Sequence, residues 1–303
     1  MIKGSFTAAD GKEIRYKEWT AENPKGMIQV SHGMSESLLR YEKFAEYMAE
    51  NGYIVFGDDH RGHGETDPDR TGYTDGDMFT DTLSDIAALS DIYRAKYPNL
   101  KLVLFGHSYG SFLTQAYMEK YGDRADAFIV GGSAYMKGFQ VTSGRIVAKL
   151  NCLFGKKKKK AKLISKLSFG AYNSKYKDGT TFISSLKEEC DLYKACPDCN
   201  FDLSNSFYRS FFSALPRLYK KKNYKNIDAA KPIMLISGSD DPVGGYGKLV
   251  EKLYRFYTEK VGVKCVSKIV YHGVRHEYLN DASREAARLA VLEFCDALTE
   301  KKD

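Results

Sequence analysis

Short, mostly apolar runs alternate with longer stretches of helical spacing along much of this chain. The runs 27–30, 53–56, 102–105, 127–130, 233–236 and 266–271 have the length and composition of strands, and most read as buried on both faces. Between them, Tyr41, Phe44, Ala45 and Met48 recur at helical spacing up to Asn51-Gly52. Leu83, Ile86, Ala87 and Leu89 do so within a helix predicted over about 80–96, and Phe112, Leu113, Ala116 and Tyr117 follow the third run. Two more helices are predicted, over 248–259 and about 280–298. Residues 4–19 read as a hairpin around a two-residue Asp10-Gly11 turn. Strands alternating with helices build a parallel sheet covered on both faces, with its functional loops at the carboxyl ends of the strands. Polar clusters fall at those ends: 31–36, 57–66, 106–110 and 132–134.

The alternation breaks between 135 and 228. A parallel crossover needs only about a dozen residues, so this stretch is an insertion with structure of its own. The predicted organisation is a core in two parts, 1–134 and 229–303, with a mainly helical cap over 135–228. Cap helices are predicted near 140–151, 161–169, 180–193 and 204–218. Over the strand ends, the cap would act as a lid.

Charge separates the same regions. The formal net charge is +7, but residues 137–225 hold 20 Lys and Arg against 6 Asp and Glu, leaving the remainder acidic by 7. The basicity belongs to the cap, which argues for a locally basic surface and against nucleic-acid binding. The first residues lack the apolar core of a signal peptide, and no stretch approaches the ~20 apolar residues of a membrane span, so a soluble cytoplasmic protein is expected. Of six cysteines, four lie in the cap at 152, 190, 196 and 199. Cys196-Pro-Asp-Cys199 invites a metal or disulfide reading, but without a second C-x-x-C unpaired thiols and no metal are expected.

Gly106-His107-Ser108-Tyr109-Gly110 carries the chemistry. A G-x-S-x-G between a strand and a helix is the context of a nucleophilic serine on a strained turn, where glycines remove the Cβ atoms that would collide. The serine needs a base. Only His272 and His276 follow it, both after the last strand, and His276 lies further out on the loop, free to reach Ser108. The acid must come from a strand end in between, where Asp240 and Asp241 qualify. Asp241 is preferred because Pro242 holds its backbone extended. The oxyanion donors would be the backbone N–H groups of Tyr109 and Met34. His60 and His63 lack a third nearby ligand and read as loop-bonding residues.

With these residues in place, the chain resembles α/β-hydrolases of the monoacylglycerol lipase, lysophospholipase and serine-aminopeptidase-like group. The resemblance rests on His32-Gly33 with Glu36 and Arg40-Tyr41, on Asp59-His60-Arg61-Gly62-His63-Gly64, and on Gly106–Gly110. It continues at Gly238–Val243 and at His272 with Arg275-His276-Glu277, and covers about 1–134 and 230–300. It implies the α/β-hydrolase fold, a mostly parallel sheet flanked by helices with a helical cap, and a catalytic triad at Ser108, Asp241 and His276. Phe169–Asn173 and Asn205–Tyr208 in the cap look closest to bacterial lysophospholipases.

The expected activity is hydrolysis of carboxylic esters through an acyl-enzyme, without a cofactor, on a lipid-like monoester. Phe139, Leu150, Phe154, Leu167, Phe169, Phe207, Phe211 and Phe212 are the candidates for an acyl pocket; packing inside the cap is their plainer role. Lys156–Lys160 is either a contact for anionic membrane or a solvated, mobile loop tip. Short-chain ester hydrolysis, amide hydrolysis by the same triad and a non-catalytic ligand-binding hydrolase fold are the alternatives.

Overall fold

A computed structural model describes residues 1–69, 72–176 and 178–299, without the side chains of Ser168 and Phe169. Its strands are β1 (Ile2–Thr7), β2 (Glu13–Trp19), β3 (Gly26–Ser31), β4 (Tyr53–Asp58), β5 (Lys101–His107), β6 (Ala127–Gly131), β7 (Ile233–Gly238) and β8 (Val266–Tyr271). They form one sheet in the order β1-β2-β4-β3-β5-β6-β7-β8. β4, β3, β5, β6, β7 and β8 run parallel; β2 is antiparallel to both β1 and β4. β3, β4, β6 and β7 are buried along their whole length, and β5 is buried except at its first residue. Their near-continuous apolar sequence follows from having helices on both faces.

The flanking helices are α1 (Glu42–Glu50), α2 (Met78–Lys96), α3 (Tyr109–Lys120), α10 (Lys248–Arg255) and α11 (Arg284–Thr299). α1 and α11 cover one face with Phe44, Met48, Val291 and Cys295. α2, α3 and α10 cover the other with Leu83, Ile86, Phe112, Leu113 and Leu253.

The leading hairpin differs from its expected two-residue turn. Thr7 sits opposite Glu13, and the N–H of Ala8 bonds the carbonyl of Lys12 at 2.8 Å. Three residues, Ala9, Asp10 and Gly11, make the turn, with Gly11 at φ +84°. A tight turn closed by one left-handed residue is the usual three-residue hairpin.

The insertion between β6 and β7 carries α4 (Phe139–Leu153), α5 (Lys162–Ser165), α6 (Ala171–Asn173), α7 (Lys187–Ala195), α8 (Asn205–Ala214) and α9 (Lys221–Tyr224). α8 seats it on the core: Phe207 and Phe211 pack on Tyr109 with ring centroids 4.9 and 5.4 Å apart. Ser210 Oγ accepts from the N–H of Phe79 near the start of α2 at 2.9 Å. The helix expected over 180–193 forms only from Lys187. Residues 180–186 lie instead as a strap whose polar groups bond the loop after β8 and the residues that follow it.

Phe105, fully buried in β5, stacks on Phe44 at 5.3 Å. Phe105→Ala is expected to lower the unfolding free energy by about 3–5 kcal/mol through lost transfer energy and the cavity left behind. Urea denaturation at constant m-value checks this.

Candidate active site

Ser108 occupies the turn between β5 and α3 with φ +52° and ψ −118°, a region side chains rarely enter. Two glycines allow it. A Cβ on Gly106 would overlap the carbonyl of Gly110, and one on Gly110 would overlap the carbonyl of Ser31. The backbone N–H of Ser108 is held by the carbonyl of Gly131 on β6 at 3.0 Å.

Three side chains from three strand ends meet above this turn. His276 Nε2 lies 2.9 Å from Ser108 Oγ, and His276 Nδ1 lies 3.0 Å from Asp241 Oδ2. Asp241 is fully buried after β7, and its other oxygen accepts from the N–H of Val243 at 2.8 Å. That bond and the carboxylate's contact with Nδ1 orient the ring so that Nε2 faces the serine. Burial opposes a charge on His276, but the Asp241 carboxylate, with Glu277 and Glu36 behind it, raises the imidazole above its ordinary value. His272 and Asp240 are exposed and take no part in this cluster.

The loop after β3 lies alongside. The N–H of Gly33 is taken by Glu36 Oε1, and that of Ser35 by His63 Nε2 at 3.1 Å. Met34 lies between them and borders the same cavity as Ser108. The Tyr109 side chain is buried against the cap, so the residue meets the turn through its backbone at the first position of α3. Buried histidines support this loop. His32 Nε2 accepts from the N–H of His60 at 2.9 Å, its Nδ1 donates to the carbonyl of Gly33 at 2.7 Å, and their rings stack at 4.0 Å. Burial lowers the pKa of both His32 and His63, His63 to about 4. Both stay neutral and serve as paired donors and acceptors. Among the described residues, no three His, Cys, Asp or Glu side chains converge as metal ligands.

Two supports carried no role in the sequence. The first is a buried carboxylate pair. Glu36 also accepts from Tyr41 Oη at 2.7 Å, and Arg40 pairs with Glu277, the residue after the histidine. Burial and the neighbouring Glu277 carboxylate push Glu36 up to about 7. The second is the cap strap. The N–H groups of His276 and Glu277 donate to the carbonyls of Phe182 and Ile183 at 3.1 and 2.8 Å. Arg275 Nη1 donates to Thr181 O and Ser184 O at 2.8 and 3.0 Å, while Asp281 accepts from the N–H groups of both Arg275 and Ser185. The cap therefore forms part of the mounting of His276. Arg275, Glu277, Glu36 and Arg40 were visible as motif residues, but nothing in 180–186 signals a strap.

A cavity of about 170 Å³ opens above Ser108, between the Met34 loop and the cap. Phe182, Ile183 and Phe201 supply its apolar lining; Asn173, Thr181, Tyr193 and Asn200 supply polar groups. Of the residues expected to form an acyl pocket, none whose side chain is described lines it. Phe207 and Phe211 are buried in the core, and Phe212 packs against that core. Phe139, Leu150, Phe154 and Leu167 face outward, Phe139 at 85 % and Phe154 at 75 % exposure. The Phe169 side chain lies outside the described residues.

A strand–serine–helix turn in a mostly parallel, helix-flanked sheet with a helical insertion defines the α/β-hydrolase fold. A family model described as serine aminopeptidase, S33 (Hydrolase_4) matches residues 22–283, so the chain belongs to this family of serine hydrolases. It is 27 % identical over 285 residues to a monoacylglycerol lipase of Mycolicibacterium smegmatis, covering 93 % of this chain and 92 % of that one. It is 28 % identical to human monoglyceride lipase over 77 % of this chain and 71 % of the relative. Among solved structures, a thermostable carboxyl esterase from Bacillus coagulans in complex with glycerol superposes with a TM-score of 0.88 at 25 % identity, covering 99 % of each chain.

Glu36 yields a pH test. Its folded pKa of about 7 lies above the ordinary carboxyl value of 4.5, so its protonated form favours folding. This contribution is complete below pH 4.5 and declines as pH rises toward 7. Glu36→Gln keeps an acceptor for Gly33 and Tyr41 but cannot ionise. Across that window wild type should lose Tm relative to Glu36→Gln as pH rises; parallel curves would show that Glu36 titrates normally.

Proposed function

We propose that this protein hydrolyses carboxylic esters through an acyl-enzyme on Ser108, with His276 as base and Asp241 as its orienting acid. The observation that carries this reading is the unbroken Asp241–His276–Ser108 chain, with contacts of 3.0 and 2.9 Å, at the floor of a cavity. His276 takes the hydroxyl proton as Ser108 Oγ attacks the ester carbonyl. Asp241 stabilises the resulting imidazolium. The N–H groups of Met34 and Tyr109 hold the oxyanion, while the start of α3 adds a favourable dipole. His276 then protonates the leaving alcohol, activates a water and restores the serine as the acid departs.

The preferred substrate is a lipid-like monoester of the monoacylglycerol or lysophospholipid kind. The names of the lipase and esterase relatives agree with it, and so does the outer surface of the cap. Phe139, Ile146, Leu150 and Leu153 fall on one exposed face of α4, and Phe154 follows. Beside them, the exposed Lys156–Lys160 loop is not a free tip. Asn205 Nδ2 donates to the carbonyls of Lys156 and Lys159 at 3.0 and 2.9 Å, presenting five ammonium groups from an ordered backbone. An apolar face flanked by lysines suits the surface of an anionic membrane, at about 1 kcal/mol per charge. No helix among the described residues is long and apolar enough to cross one.

The small cavity supports a second reading. At about 170 Å³ it accommodates an ester and a few neighbouring atoms, so a long acyl chain would have to run out through its mouth or into space opened by the cap. If the cap stays closed, the enzyme is a short-chain esterase. An amine-bearing substrate fits less well, because the cap is strongly basic.

A chain-length series of p-nitrophenyl esters separates these readings. Turnover should rise toward medium or long chains and fall by about 10⁴-fold or more in Ser108→Ala. Activity confined to acetate and butyrate would select the short-chain esterase, and no activity on any ester would remove the esterase reading. In a second assay, changing Lys156–Lys160 to Gln should release the protein from phosphatidylserine vesicles while leaving soluble-ester turnover intact. Unchanged pelleting would exclude the lysine contact.

A further inference from the structure

Cys196 and Cys199 play no part in the proposed chemistry, yet their Sγ atoms touch at 3.0 Å, with the Cys199 thiol donating to Cys196. The six cysteines are unbonded, but among the described residues this contact sets 196 and 199 apart. The backbone brings them together. Cys196 caps the end of α7, its N–H bonding the carbonyl of Leu192 at 2.9 Å, and the N–H of Cys199 closes a tight turn onto Cys196 O at 3.1 Å. A disulfide bond is about 2.05 Å long, so closure needs the sulfurs to approach by about 1 Å, within reach of small side-chain rotations.

The turn's neighbour is the active-site loop. Asn200, next in the chain, has φ +56° and donates its N–H to Ser35 O at 2.9 Å. Tyr193 Oη donates to the same carbonyl at 2.9 Å, and Ser35 Oγ donates to Phe201 O at 2.8 Å. Three bonds from the ends of this dithiol turn thus hold the residue after Met34.

We propose that Cys196 and Cys199 form a reversible dithiol–disulfide site in the cap, and that its closure is felt at the loop presenting the Met34 N–H. The co-reactant is a low-molecular-weight disulfide such as oxidised glutathione. Cys196 is half-buried and Cys199 buried, so the outer sulfur reacts first. The Cys196 thiolate attacks one sulfur of the disulfide, forms a mixed disulfide and expels one thiolate. Cys199 loses its proton to solvent and attacks the Cys196 sulfur, closing the ring and expelling the second thiolate, which takes up a proton. Two protein thiols are oxidised and one disulfide is reduced to two thiols. Burial holds the Cys199 thiol protonated, so this thiol must give up its proton as the ring closes.

The thiol chemistry stands without the hydrolase reading; the effect on turnover rests on it. The experiment incubates the full-length protein with oxidised glutathione, then applies peptide mapping and measures p-nitrophenyl ester turnover before and after dithiothreitol. The expected result is a Cys196–Cys199 cross-linked peptide, reversed by dithiothreitol. Oxidation should lower kcat about three- to tenfold with KM nearly unchanged, well short of losing an oxyanion donor outright. Cys196→Ser should retain the reduced enzyme's turnover and lose the response. Mixed glutathione adducts with no internal cross-link overturn the site. A cross-link that leaves kcat unchanged overturns its coupling to the loop. A reduced protein that turns over no ester would count against the hydrolase reading, while the map still decides the disulfide.

Discussion

The strained backbone at Ser108 is the constraint on which the rest of the site depends. A side chain at φ +52° costs about 1–3 kcal/mol and persists only where its surroundings leave no alternative. Here β5 is anchored between β3 and β6, α3 starts immediately, and the Ser108 N–H is committed to Gly131. The same tightness brings Gly110 against the carbonyl of Ser31, which sets how closely the Met34 loop can approach. Relaxing the turn would move both the hydroxyl and the loop beside it.

Around that turn, buried polar groups are kept neutral or paired. His32 and His63 are buried and held uncharged, each donating through one nitrogen and accepting through the other. Arg40 and Glu277 pair under the cavity, and Asp241 faces His276. In such a low-dielectric setting an unpaired charge is costly, and the Asp241 carboxylate is the largest favourable influence on a charged His276, with Glu277 and Glu36 adding to it.

The insertion is scaffold as well as cover. Its strap accepts from the backbone N–H groups of both His276 and Glu277, and its 196–201 turn binds Ser35. Both loops flanking Ser108 are thus partly held by the cap. α4 and the lysine loop instead turn apolar and cationic groups outward. One inserted segment serves the geometry of the site and the character of the surface.

The sequence by itself determined the strand–helix order, the inserted segment and the strained serine turn. Each is written in local signals: apolar runs, helical spacing and glycines either side of a serine. It also narrowed the proposed base and acid to two candidates each, because both would have to leave strand ends after the serine. Only the tertiary structure decided that His276 and Asp241 lie in line with Ser108 while His272 and Asp240 face solvent. It alone showed that 180–186 is a strap and that the outer cap aromatics do not line the cavity. These outcomes depend on contacts between segments tens to hundreds of residues apart. A helical pattern over 180–193 records local preference, and it yields where backbone groups find better partners across the fold.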